Sequence, residues 1–179
     1  MNELKPKVYI AAPFPSINEM KIWRKLFEID GFEVVSHWID GSLATDAHDV
    51  NSAEWKEYDD NQAVADFYGV SECDILVLNN LEEWKGRSRG GKNIEFGMAA
   101  VRKKIIIIVG KYETPLHHLI PQCRVVPCVE DAIQLAKKMY RLIRAVEVAF
   151  SKDDGNSRKE REVSFNYGAG KGQSSFLAG

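Results

Sequence analysis

The sequence predicts an α/β domain built on a doubly wound, five-stranded parallel sheet with helices on both faces. Two observations carry this. Apolar runs of strand length alternate along the chain with stretches of helical period, the pattern of successive βαβ units. The run at residues 74–78 is apolar on both faces, as a strand is when helices cover its sheet on each side.

Residues 7–12 (KVYIAA) read as the first strand, stopped by Pro13. Residues 18–29 place Met20, Trp23, Leu26 and Phe27 at helical spacing, and Asp30-Gly31 ends that helix. Residues 32–36 form a second strand. Residues 52–70 make a polar helix with Trp55, Val64, Phe67 and Val70 as its apolar positions. A third strand at 74–78 runs into a Gly-rich loop, and a helix over roughly 93–102 follows. Residues 104–109 (KIIIIV) are the fourth strand, 124–126 a short fifth, and 131–150 a long final helix. In doubly wound folds ligands bind beyond the carboxyl ends of the strands. That directs attention to residues 11–14, 79–91 and 110–114.

The chain has 179 residues, with 24 Lys+Arg against 26 Asp+Glu for a formal charge of −2, and 45% hydrophobic residues. This length suits one domain of about 150 residues. Near-neutrality leaves no basic footprint for a nucleic-acid polymer, so a small molecule is the expected partner. No apolar stretch of signal-peptide length follows the charges of residues 1–7. The longest apolar run, residues 105–110, is far below the roughly 20 residues of a membrane span, so a cytoplasmic protein without membrane contact is expected. The three cysteines, Cys73, Cys123 and Cys128, have no framework spacing and are expected as reduced thiols. Residues 151–179 hold five of the 13 glycines and almost no periodic apolar residues; they are expected to be a disordered tail, leaving 1–150 as the domain.

Two tempting matches fail. Gly168-Ala-Gly-Lys-Gly-Gln-Ser resembles a phosphate-cradling loop, but Gly172 stands where Ser or Thr would be needed and no helix follows. His117, His118, Cys123 and Cys128 lack a diagnostic metal-ligand spacing. No GxGxxG fingerprint follows the first strand, and neither a metal nor a cofactor is expected.

The informative segment is residues 87–100, RSRGGKNIEFGMAA. Gly90 and Gly91 permit close backbone approach where the loop enters a helix. The free N–H groups of that helix start, with Ser88 and Arg89, suit an anion. Glu95 lies about one turn inside. A Glu there also complements the helix dipole without any catalytic role.

The stretches KVYIAAPF (7–14), VVSHWI (34–39), ADFYGVSECDILV (65–77) and SRGGKNIEFGMA (88–99) occur in the order seen in the nucleoside 2-deoxyribosyltransferase family, and LHHLIP (116–121) is similar to its shorter branch. The resemblance spans about residues 7–135, with Gly-Gly-x-x-x-Glu-x-Gly-x-Ala its most specific block. It implies a flavodoxin-like sheet and assembly as a homodimer or larger homo-oligomer. It also implies that Glu95 is the nucleophile attacking C1' of a deoxyribose, that Tyr9 orients its carboxylate, and that Asp66 protonates the departing base or holds the sugar. Substrate contacts are expected from Ala11, Pro13, Ser88, Arg89, Gly90 and Gly91. A retaining pair of this kind has its carboxyl groups about 5 Å apart. Asp74, at a strand entrance, is expected to be structural.

One departure bears on the substrate. The transferases carry an aspartate six residues before the nucleophile, and here that position is Arg89. A guanidinium suits phosphate, and the related deoxynucleoside 5'-monophosphate N-hydrolases use small hydroxyl residues in this loop, as Ser88 would be. Residues from Lys85 to Lys92 form a basic loop beside Glu95, in which Arg87 and Arg89 also read as solvated loop charges. The expected activity is cleavage of the N-glycosidic bond of a 2'-deoxynucleoside or its 5'-monophosphate, with the sugar passed to water or to another base. The alternatives are a nucleotide-binding module without turnover, and a flavodoxin-like domain with unrelated chemistry such as NAD cleavage.

Overall fold

The five apolar runs pair into one sheet. The computed structural model describes residues 5–41, 53–81, 91–112 and 116–157. Its elements are strand β1 (Lys7–Ala11), helix α1 (Ile17–Ile29), β2 (Glu33–Val34), α2 (Ala53–Glu72), β3 (Ile75–Asn80), α3 (Gly91–Val101), β4 (Ile105–Gly110), α4 (Leu116–Leu119), β5 (Cys123–Val126) and α5 (Val129–Ser157). Short 3-10 segments at Phe14–Ser16 and His37–Asp40 follow β1 and β2. Periodicity does not register these segments or α4, because none of them completes two turns.

Every strand pair is parallel and the order is β2-β1-β3-β4-β5, the flavodoxin-like doubly wound arrangement expected. The chain goes outward from β1 to β2, then returns across β1 to β3, so its direction reverses between β1 and β3. Right-handed crossovers put α1 on one face and α2 and α3 on the other. Contacts agree: Arg102, just past α3, lies 5.7 Å over the Phe67 ring of α2, and Lys137 of α5 pairs with Asp30 at the end of α1. The central strands β3 and β4 are apolar on both faces because both faces are covered; Ile75–Leu78 and Ile105–Val109 are buried throughout. Each such side chain contributes on the order of 1.5–3 kcal/mol by leaving water.

The Asp30-Gly31 signal ends α1 as expected. Gly31 has φ +91°, the Phe32 N–H donates to the Phe27 carbonyl at 3.1 Å, and the two rings meet edge to face at 5.4 Å. β2 is shorter than the predicted 32–36. Beyond Val34 one more backbone bond, from the Val35 N–H to the Val8 carbonyl, is followed by side-chain bonds: the Ile10 N–H donates to Ser36 Oγ, and Trp38 Nε1 donates to the Ile10 carbonyl at 2.9 Å. The chain is therefore held to β1 past the point where regular pairing stops.

Two compact units divide the chain, Met1–Ile143 and Arg144–Gly179. The expected boundary at 150/151 falls inside α5, which continues to Ser157; the rest of the expected tail lies outside the described residues. Among the described residues no helix is long and apolar enough to cross a membrane.

At the carboxyl end of β4, Gly110 has φ +110° and pairs with Asn80. A Cβ there would lie 2.3 Å from the Asn80 carbonyl oxygen. Gly110→Ala is therefore expected to cost about 2–3 kcal/mol through backbone strain plus overlap, read as a lowered urea midpoint with an unchanged m-value.

Candidate active site

β1 brings Tyr9 to the point where the sheet's direction reverses. The strand's two-residue period sends Tyr9 and Ala11 to the α2–α3 face, and Val8 and Ile10 to the other. Tyr9 is fully buried, yet its hydroxyl reaches the polar seam between the two helices. There Tyr9 Oη donates to Glu95 Oε1 at 2.7 Å, joining residues 86 apart in sequence. Asp66 projects from α2 beside the same hydroxyl, which favours its charged form. It also accepts from Gln62 Nε2 at 2.9 Å, one helical turn earlier.

Two acidic groups thus flank one phenol. Burial pushes the Glu95 carboxyl up to about 7; the Tyr9 hydrogen bond draws it down and the Asp66 charge pushes it further up. Burial raises Asp66 as well, against the hydrogen bonds from Gln62 and Tyr9 and the nearby His37 imidazole, which favour its charged form. Burial and both carboxylates move Tyr9 well above the ordinary phenol range, so it remains a neutral donor. A phenol has one hydrogen and cannot donate to two carboxylates at once. The arrangement is best satisfied when one carboxyl group carries a proton, and near neutral pH this site is electrostatically disposed to hold one.

Of the residues singled out from sequence, Tyr9, Asp66 and Glu95 are brought together. Ala11 is fully buried at the end of β1, and Pro13 is half-buried in the turn after it. The Pro13 carbonyl accepts from the Ser16 N–H at 2.9 Å and from Ser16 Oγ at 2.6 Å. Gly91 opens α3, two residues earlier than predicted, and nothing lies within 4 Å of the position its Cβ would take. Arg87, Ser88, Arg89 and Gly90 lie outside the described residues. Asp74 closes the strand entrance: its carboxylate accepts from the Lys7 N–H at 2.8 Å, and its own N–H donates to the Lys7 carbonyl at 2.8 Å.

Three features escaped sequence reasoning. Lys92, counted there with the basic loop, is buried; its Nζ donates to Asn80 Oδ1 at 2.9 Å, and Asn80 Nδ2 donates to the Lys111 carbonyl at 3.2 Å. Gln62 supports Asp66, and its spacing of four residues on a helix was a readable signal. His37, in the segment after β2, contributes a charge felt at Asp66, which only the tertiary fold brings within reach. Burial pushes the Cys73 thiol up to about 12 and the Cys123 thiol up to about 11, which disfavours the nucleophilic thiolate at both. Among the described residues no group of three or more His, Cys, Asp or Glu is placed to hold a metal ion. His117 instead stacks on Phe96 with ring centroids 4.4 Å apart.

No family model matches this chain, and no curated protein matches it. Among solved structures, the Clostridium botulinum CMP N-glycosidase BcmB aligns with a TM-score of 0.48 at 17% sequence identity, covering 74% of this chain and 99% of that chain. A likeness at that level carries no inference about activity, which rests here on the geometry of the side chains.

The raised Glu95 carboxyl has a consequence for stability. Unfolded, this carboxyl titrates near 4.5; folded, near 7, so the native state holds the proton more tightly. Its contribution therefore favours folding below pH 4.5 and is lost as pH rises through 7. Glu95→Gln is expected to be more stable than the parent above pH 7 by up to about 3 kcal/mol, with the difference shrinking toward pH 4.5 in a pH series of thermal melts.

Proposed function

We propose that this protein cleaves the N-glycosidic bond of 2'-deoxynucleosides or their 5'-monophosphates through a covalent deoxyribosyl intermediate on Glu95. The observation that carries the reading is the single Tyr9 hydroxyl held between two carboxyl groups, Glu95 and Asp66. The Tyr9 hydrogen bond to Glu95 and the Asp66 charge felt by Glu95 support a close pair of carboxyl groups, as a retaining mechanism requires.

In this mechanism ionised Glu95 attacks C1' while the C1'–N bond breaks and the Asp66 proton passes to the departing base. The base leaves neutral, and Asp66 is left as a carboxylate. Asp66 then takes a proton from water as its oxygen bonds to C1', and Glu95 departs as a carboxylate; a second nucleobase in place of water would give transfer. Tyr9 aligns the Glu95 carboxylate and, by donating to it, favours the charged form that attacks. The open start of α3 at Gly91, preceded in sequence by Ser88 and Arg89, supports a 5'-phosphate contact, because helix N-termini and guanidinium groups both favour anions. Homo-oligomeric assembly, implied by the resemblance, belongs to the same proposal and is checked by light scattering.

Incubation with deoxynucleosides and their monophosphates, with and without a free acceptor base, is expected to release base and to form exchanged product only if transfer occurs. Glu95→Gln should abolish release, and Asp66→Asn should slow it by about 10²–10⁴-fold. Binding without any release would leave a nucleotide-binding module instead. The rate should rise with pH as Glu95 ionises near 7. Tyr9→Phe removes the hydrogen bond that favours charged Glu95, so the ascending limb should move to higher pH and kcat/KM at neutral pH should fall by about 10–100-fold.

A further inference from the structure

Helix α2 crosses β1 where Gly69 faces the Tyr9 ring. A Cβ at Gly69 would lie 2.9 Å from both Cδ2 and Cε2 of that ring and 2.7 Å from the Val35 carbonyl oxygen. Side chains do not tolerate such approaches, the ring is fully buried, and the carbonyl belongs to backbone held to β1 by the Val35 N–H bond to the Val8 carbonyl at 2.9 Å. Neither neighbour has room to withdraw, so any larger residue would have to lift α2. Gly69 stands three residues after Asp66, on the same side of the helix. The depth at which α2 sits on β1 is therefore also the depth at which Asp66 meets the Tyr9 hydroxyl.

We propose that Gly69 is a positioning residue for the catalytic pair: by letting α2 rest directly on the Tyr9 ring, it sets the approach of Asp66 to Tyr9 and Glu95. The inference rests on the site described above as the catalytic centre. The ring has one fixed location. Its edge is contacted by Gly69 and its hydroxyl by Glu95 and Asp66, so one residue registers helices α2 and α3 against the same strand. Gly69 has no side chain to take part in chemistry, and its effect passes wholly through where Asp66 lies.

Lifting α2 has a signature that loss of stability alone lacks. The titratable groups facing Glu95 and Asp66 are Tyr9 from β1, His37 from the segment after β2, and the two carboxyls themselves. Moving α2 outward weakens the Asp66 charge felt by Glu95 and admits water, and both changes lower the Glu95 midpoint. In Gly69→Ala, carboxyl ¹³C NMR titration of glutamate-labelled protein should show Glu95 ionising about one pH unit lower than in the parent. A misplacement of this size should also lower kcat by up to about 10²-fold. Ile133→Ala, which opens a cavity in the core under α5, serves as a destabilised control whose Glu95 midpoint should not move. A folded Gly69→Ala protein with the parent midpoint overturns the proposal, however much its melting temperature falls. The titration needs no substrate, so failure to release base overturns the glycosidase reading without deciding the role of Gly69. If Gly69→Ala alone does not fold, the Gly69→Ala/Tyr9→Leu double variant is compared with Tyr9→Leu. A cooperative melt in the double variant supports the ring contact as the limit on α2, and its absence where Tyr9→Leu folds overturns it.

Discussion

The hydrogen bond from Tyr9 to Glu95 is the interaction around which the site is arranged. A neutral phenol buried in a strand can donate only once, and it lies against two acidic side chains from two different helices. Everything that positions those helices therefore also sets how the two carboxyl groups approach the phenol. The parallel sheet fixes β1 beside β3, α3 follows β3 and carries Glu95, and α2 crosses back over β1 carrying Asp66. The site lies at the reversal between β1 and β3, where the helices leading from neighbouring strands diverge and leave room for a ligand.

Burial gives this arrangement its chemical character. In water the two carboxyl groups would both be ionised at neutral pH, and neither would act as an acid. Removed from water and set beside each other they resist double ionisation, and Glu95 moves to about 7. The same desolvation that raises the carboxyls also raises the buried thiols of Cys73 and Cys123, where it suppresses reactivity. One physical effect thus raises the carboxyls toward neutral pH and disfavours the thiolates of Cys73 and Cys123.

Much of the architecture was legible in the sequence. Period-two and period-3.6 patterns identified all five strands and the long helices, and the two-sided apolar character of β3 showed that its sheet is covered on each face. The stop at Asp30-Gly31 was readable because a residue with φ +91° calls for glycine. β2 was overestimated because Val35, Ser36 and Trp38 look like strand residues and are bonded to β1, but partly through side chains that periodicity does not distinguish from backbone pairing. Lys92 was misjudged for a related reason. Composition counts a lysine beside Arg87 and Arg89 as part of a basic loop, whereas the fold turns its ammonium inward onto Asn80.

By itself the sequence determined the kinds of elements, their order and the apolar faces they bury, and its motifs singled out three residues that the fold brings together. These are local properties, set by spacing along a few turns or a few strand residues. Only the tertiary structure decided that Tyr9 and Glu95 touch across 86 residues, that Asp66 and His37 face the same point, and that Gly69 admits α2 to the ring beneath it. Periodicity records which face of an element is buried, but not which element lies against it. That choice follows from strand order and crossover hand, and the two carboxyls meet the phenol only after it has been made.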